Sequence, residues 1–383
     1  MSAVVAYLDA AATTRVEPNV AEVVLHWMTE EFGNAGSRTH EYGLRAKKAV
    51  AAARAYLAST LDAQAEEIIF TSGATESNNI ALLGLAAHGE KSGRKHIVTS
   101  AVEHKAVLEP LEHLRDARGF EVEFLQPGPT GRLTADEVLA RVRPDTLLVS
   151  LMHVNNETGV IQPVAELAQA LIKTPTFLHV DAAQGYGKRT KDLTAPIDLV
   201  SISGHKVGAP KGIGALLTRR RGWNRVPLEP IMYGGGQERK LRPGTLPVPL
   251  IMGLHEAARS FHAKHDGWER DALALRERLL TALEKTRYAI NGDPEHSVPH
   301  ILNLSFDKLN AEALIVRIKD QAAVATGSAC TSASYTPSHV LTAMGLPEDR
   351  ASNGLRLSWF PSQVTEFDAE AFAETVARMQ PSA

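Results

Sequence analysis

The chain has 383 residues, and at about 150 residues per domain that length allows two or three domains. Its formal charge of −3, from 41 basic and 44 acidic side chains, argues against a protein that holds nucleic acid by bulk charge. One cysteine, Cys330, excludes an intrachain disulfide and a cysteine-rich metal cluster, and it fits a reducing compartment.

The segment Met1–Asp9 has neither a basic n-region nor a long apolar run, so no signal peptide is expected. No stretch approaches about 18 uncharged apolar residues, so no membrane span is expected and the chain reads as cytoplasmic. Amphipathic spacing predicts a helix over Glu41–Leu57. Strand-like runs follow at Glu67–Phe70, His96–Thr99, Val122–Leu125, Thr146–Ser150, Thr176–Val180 and Leu199–Ile202, with a helical pattern at Val164–Ile172. Alternation of this kind signals a mostly parallel sheet with crossover helices, running from about residue 60 to about 220. From Leu246 to Thr286 one Ala- and Leu-rich helical region carries Gly253 and Gly267 without a strand signal. Beyond it, Ile301–Phe306 and Leu355–Ser358 read as strands of a smaller α+β unit. No repeat or flexible linker intervenes, so the long helix is expected to join the two units.

Ligands of parallel sheets sit outside the carboxyl ends of the strands. After Phe70 comes Thr71-Ser72-Gly73-Ala74-Thr75-Glu76, small residues opening a helix whose free N–H groups suit either an anion or an ordinary N-cap. The next strand leads to His104, and the fourth to a polar cluster, Met152 to Gly159, that contains Asn155. Asp181 closes a buried strand and requires a partner, because an unpaired buried carboxylate is costly. Twenty-five residues on, Ser203-Gly204-His205-Lys206 places a lysine at the same sheet edge. A lysine in a low-dielectric cleft loses its proton readily and forms Schiff bases. Pyridoxal phosphate needs such a lysine, an acid for its pyridine nitrogen and a phosphate cradle. Lys206, Asp181 and the Ser72–Thr75 loop supply all three. Cys330 lies among Gly327, Ser328, Thr331, Ser332 and Ser334, a run with little to bury, so its thiol is a candidate for reaction.

Together, His104, Asn155, Asp181-Ala182-Ala183-Gln184, Ser203-Gly204-His205-Lys206 and Gly327-Ser328-Ala329-Cys330-Thr331-Ser332 resemble the cysteine desulfurases. These are fold-type I pyridoxal-phosphate enzymes related to class V aminotransferases, and the loop form resembles the group whose cysteine rides on a long loop. The resemblance implies an α/β fold. A large domain over 15–260 would hold a seven-stranded-type sheet, and 1–14 with 261–383 would form a small α+β domain. It implies that Lys206 binds the cofactor and moves protons, Asp181 meets the pyridine nitrogen, Gln184 the ring hydroxyl and His104 the ring face. Thr75, Ser203 and His205 would hold the phosphate with backbone N–H groups near Gly73 and Ala74. Thr245 would reach the phosphate of the neighbouring subunit, which implies a homodimer with shared sites. Asn155 and Arg356 would bind the substrate carboxylate, which suits a bidentate guanidinium.

The implied reaction takes sulfur from L-cysteine onto Cys330 as a persulfide, leaves alanine and passes the sulfur to a protein acceptor. No metal ligand set is assigned, and direct nucleic-acid binding is not expected. The alternatives are a selenocysteine lyase or a class V aminotransferase; a reactive thiol favours sulfur transfer, since transamination needs none. The chain departs from the family at Ala35, where a proline is common, and at Gly185, where a serine is frequent. It ends at Ala383 without the longer tail with which housekeeping members dock an iron–sulfur scaffold. That points the expected sulfur destination toward tRNA thiolation or DNA phosphorothioation, with iron–sulfur assembly kept open. Arg219-Arg220-Arg221 and Arg225 form a basic stretch, expected to be a solvated face or a contact for an acidic partner.

Overall fold

In a computed structural model the chain is described over residues 5–326, 337–360 and 367–381. Its strands, in chain order, are β1 (Ala6–Tyr7), β2 (Ile68–Thr71), β3 (His96–Ser100), β4 (Glu121–Leu125), β5 (Thr146–Ser150), β6 (Phe177–Asp181) and β7 (Leu199–Ser203). They continue as β8 (Gly214–Thr218), β9 (Tyr288–Ile290), β10 (Ile301–Phe306), β11 (Ala322–Ala323), β12 (Ala325–Thr326) and β13 (Gly354–Ser358).

Seven strands form the main sheet in the order β2-β8-β7-β6-β5-β3-β4. The neighbours from β7 to β4 run parallel, whereas β8 is antiparallel to both β2 and β7. Successive side chains of a strand point to opposite faces, and here both faces are apolar. Ile69, Ile97, Leu148 and Leu216 pack with helices Ala74–Gly84 and Lys105–Arg118. Phe70, Val98, Val149 and Leu217 pack with helices Glu41–Thr60 and Val164–Leu171 on the other face. Such two-sided burial is why the strands read as continuous apolar runs.

A second, antiparallel sheet has the order β12-β13-β10-β9, and β1 pairs in parallel with β11. The long helix Val248–Ala282 serves both cores. Its Ile251 and Leu254 join the main core, while Trp268, Ala272 and Leu279 pack with Leu304, Leu357 and Phe372. Ala6, Leu8 and Ala10 belong to that second core.

Strand β8 was not among the predicted runs, because its glycine-rich approach (Gly208, Gly212, Gly214) reads as loop. The glycine is required: a Cβ on Gly214 would lie 2.3 Å from the Ile202 carbonyl oxygen and 2.6 Å from Gly73 Cα. Most of the basic stretch is not a free face either, Arg225 alone being exposed. Arg219 donates to the carbonyl oxygens of Ile197, Leu61 and Asp62, and Arg221 to Asp198 and to Thr174 and Thr176. These guanidiniums close the ends of the sheet.

Candidate active site

A cavity of about 470 Å³ opens at the carboxyl ends of β2, β6 and β7, with Gly73, His104, Asp181, Gln184, Lys206 and Arg356 on its walls. The wall begins where β2 gives way to helix Ala74–Gly84. Gly73 precedes that helix at φ +155°, a conformation that glycine adopts at least cost. The first N–H groups of a helix have no partner within it, so those of Ala74 and Thr75 are available to an anion. Both residues line the cavity, as do Ser203, at the end of β7, and His205.

Lys206 ends a single turn of 3-10 helix, Gly204–Lys206, directly after β7. Its Nζ donates to the carbonyl oxygens of Ala11 and Ala12, the latter at 2.7 Å. The N-terminal segment clamps the same turn, since Thr14 donates its N–H and hydroxyl to the His205 carbonyl oxygen. His205 Nδ1 lies 3.1 Å from Thr13 Oγ1. Burial, reinforced by the Lys206 charge, lowers the His205 pKa to about 4, so its imidazole is neutral.

Asp181, 5% exposed, has the partner its burial demands: Asn78 Nδ2 donates at 2.7 Å and the Ala183 N–H at 2.9 Å. Asn78 is fully buried on helix Ala74–Gly84. It was absent from the sequence reading, although an amide at a buried position on an otherwise apolar helix face was the available signal. Gln184 Nε2 donates to the Ala11 carbonyl oxygen at 2.8 Å, the atom that also receives Lys206. Gln184 Oε1 and Asn78 Oδ1 are buried without a partner. Two orphaned acceptors beside a carboxylate fit a ligand that brings its own donors, as a pyridinium and a ring hydroxyl do.

His104 is half-buried and caps helix Lys105–Arg118, accepting from the Ala106 N–H through Nδ1 at 3.1 Å. Burial holds its pKa down, with Asp181 opposing, so the imidazole is neutral with its proton on Nε2. Arg356, on β13, is 1% exposed; it donates to Asp9 Oδ1 at 2.7 Å and to the Asn156 carbonyl oxygen at 3.1 Å. Its Nε is buried without a partner.

A family model described as aminotransferase class-V matches residues 6–372. The chain belongs to that family. The cysteine desulfurase IscS of Anaeromyxobacter sp. (strain K) is 46% identical over 380 residues, covering 98% of this chain and 93% of that relative. The crystal structure of DndA from Streptomyces lividans is 68% identical with a TM-score of 0.83, covering 93% of this chain and 99% of that one. The structure of SspA in complex with cysteine is 36% identical with a TM-score of 0.81, covering 93% and 99%.

Not every expected site residue of this class-V chain reaches the cavity. Asn155 is buried behind the wall, and its amide donates to the Val102 carbonyl oxygen at 3.0 Å and to Met152 Sδ at 3.3 Å. Its Oδ1 accepts from the N–H groups of Glu157 and Thr158, so it holds a turn. Thr245 is exposed and does not line its own chain's cavity. Cys330 lies outside the described residues. Residues the sequence reading missed, besides Asn78, are Asp9, the counter-charge of Arg356, and Lys188 in the turn after Gln184. Lys188 is 3% exposed, and burial, then the charge of Lys206, brings its pKa down to about 7.

Proposed function

We propose that this class-V chain is a cysteine desulfurase that uses pyridoxal phosphate. The observation that carries the reading is one cavity in which a sheet-edge lysine, a supported carboxylate and a helix N-terminus converge, with a buried guanidinium at its side. When bound, pyridoxal phosphate supplies an electron sink and a covalent hold on the amino group of the substrate. Lys206 would hold it and carry protons at the substrate α-carbon. The Asp181 carboxylate, kept in place by Asn78, would face the pyridine nitrogen, and Gln184 the ring hydroxyl. Ser203, His205, Thr75 and the N–H groups from Gly73 to Thr75 would hold the phosphate. Neutral His104 would lie against the ring and offer its Nε2 proton. Arg356 would receive the substrate carboxylate, with Asp9 setting its angle.

Sulfur transfer falls to Cys330. Its thiolate attacks the sulfur of L-cysteine; an S–S bond forms, the C–S bond breaks, and the carbon takes a proton to leave as L-alanine. The protein then carries a persulfide for a protein acceptor. Thr245 would complete the phosphate site of a second copy in a homodimer. We divide the chain into a large unit over 15–260 and a small unit from 1–14 with 261–383, in keeping with the membership of Ala6 to Ala10 in the second core. Identity to DndA exceeds that to IscS, 68% against 46%, so we place the sulfur destination on the DNA phosphorothioation side.

The test is sulfide and alanine release from L-cysteine by protein supplied with pyridoxal phosphate and a reductant. Equal amounts of both, lost in Cys330→Ser, are expected. Normal sulfide release from that variant would overturn the role of Cys330. Alanine released from L-selenocysteine but not from L-cysteine would select the lyase alternative.

A further inference from the structure

One exposed segment is built with unusual care. Residues 231–237 are exposed throughout, including Ile231, Met232 and, at 84%, Tyr233. They run into Glu238, Arg239 and Lys240, three consecutive non-glycine residues at φ +44°, +56° and +70°. L-residues resist that region, so neighbouring contacts must hold it. The buried Glu238 carboxylate supplies them, accepting from Arg54 at 2.5 and 2.7 Å and from the Phe70 N–H at 2.7 Å. Within the segment the Gly244 N–H donates to Gln237 Oε1 at 3.0 Å. A second carboxylate ties this arm to the cavity. Glu76 Oε1 accepts from Arg242 Nε at 3.0 Å, and Glu76 Oε2 accepts from the Ser72 N–H at 2.5 Å. Ser72 opens the anion loop of this chain's own cavity, and Arg242 lies three residues before Thr245.

We infer that Glu76 couples the two sites of the dimer, by joining the phosphate loop of one subunit to the arm that completes the phosphate site of the other. The inference rests on the reading of Thr245 given above. A phosphate seated on the Ser72–Thr75 loop fixes the Ser72 N–H, and with it the Glu76 carboxylate, Arg242 and the arm. The neighbouring site then meets an arm already in place, so the second cofactor binds more tightly than the first. Glu76 and Arg242 are positioning residues; Glu76 stands on the cavity wall and Arg242 outside it.

Native mass spectrometry of the cofactor-free dimer, titrated with pyridoxal phosphate, counts dimers carrying none, one or two. A tenfold coupling leaves about a quarter of the dimers singly loaded at half-saturation, whereas independent sites leave about half. The wild type is expected near a quarter and Arg242→Gln near a half, with the dimer intact. Glu76→Gln, which cannot accept from both partners through one carboxylate, is expected to match Arg242→Gln, and the double variant to add nothing. Thr245→Ala separates the two layers of the argument. A monomeric wild type, or a Thr245→Ala dimer that binds the cofactor as tightly as the wild type, overturns the reading of the arm and the coupling with it. A Thr245→Ala dimer of weakened affinity, beside a wild type or an Arg242→Gln variant that departs from these fractions, overturns the coupling alone.

Discussion

Lys188→Met isolates the cost of a charge held beneath the site. Methionine keeps most of the apolar stem and removes the ammonium. In the folded chain the Lys188 pKa is about 7, against about 10.5 when solvated, with burial the first cause and the Lys206 charge the second. A lysine with a depressed pKa binds fewer protons folded than unfolded between those two values, so stability rises with pH across that window. Below pH 7 both states are charged and the full penalty stands, roughly 4–5 kcal/mol at about 1.4 kcal/mol per pH unit. By pH 9 it has fallen to about 2 kcal/mol by the same linkage. Unfolding followed from pH 6 to 9 should therefore show the variant's advantage over the wild type shrinking by about 2–3 kcal/mol. For 383 residues, with an unfolding entropy of about 0.8 kcal/mol per degree, that is a change of roughly 3 °C in the difference of melting temperatures. Lost packing would add a constant offset; only the charge gives a slope. A difference that stays level from pH 6 to 9 refutes the reasoning.

Asn78→Ala should leave Asp181 Oδ2 without its donor, costing about 1.5–3 kcal/mol in stability and about tenfold in pyridoxal phosphate affinity, both readable by titration. Arg356→Lys loses the two-nitrogen reach to Asp9 and Asn156, so KM for L-cysteine should rise roughly tenfold while the bound cofactor keeps its absorbance. Gly214→Ala forces a methyl into the backbone of Ile202 and Gly73 and should cost about 3 kcal/mol in urea unfolding, with cofactor affinity falling too. Lys206→Ala should abolish both turnover and the yellow colour of the loaded protein, whereas Cys330→Ser should keep the colour.

Five of the six predicted strands of the main sheet were legible because burial on two apolar faces leaves a run of branched side chains in the sequence; the half-exposed edge strand β4 was legible from Val122, Phe124 and Leu125. Asp181 and Lys206 were legible because strand ends in parallel sheets converge on one edge. Partnerships across distant segments were not. Asn78 meets Asp181 across 103 residues, and Arg356 meets Asp9 across 347, with no local periodicity to announce either. Strand β8 escaped because its approach carries glycines: Gly208 and Gly212 turn at positive φ, and Gly214 makes close backbone contact. Asn155 was placed near the site, between the lining residues Val154 and Asn156, but its bonds to Val102 and to the turn at Glu157 were not legible, since a sequence does not reveal how an amide is already engaged. The arginine run was misread in part for a related reason: Arg219 and Arg221 donate to carbonyl oxygens just before β6 and β7 instead of facing water, and Arg225 alone of the stretch is exposed.

The clamp on Lys206 sets an order of events during synthesis. Ala11 and Ala12 leave the ribosome early, yet the strand beside them, β1, pairs with Ala322 and Ala323, and Asp9 waits for Arg356. A nascent chain with its main sheet complete can already join Ala11 and Ala12 to Gln184 and Lys206, but it lacks the contacts that seat residues 6–9. The cavity wall is therefore completed only after nearly the whole polypeptide has been released, and a chain truncated before β13 should carry a folded sheet and a seated Lys206 with the Arg356 side of the cavity missing.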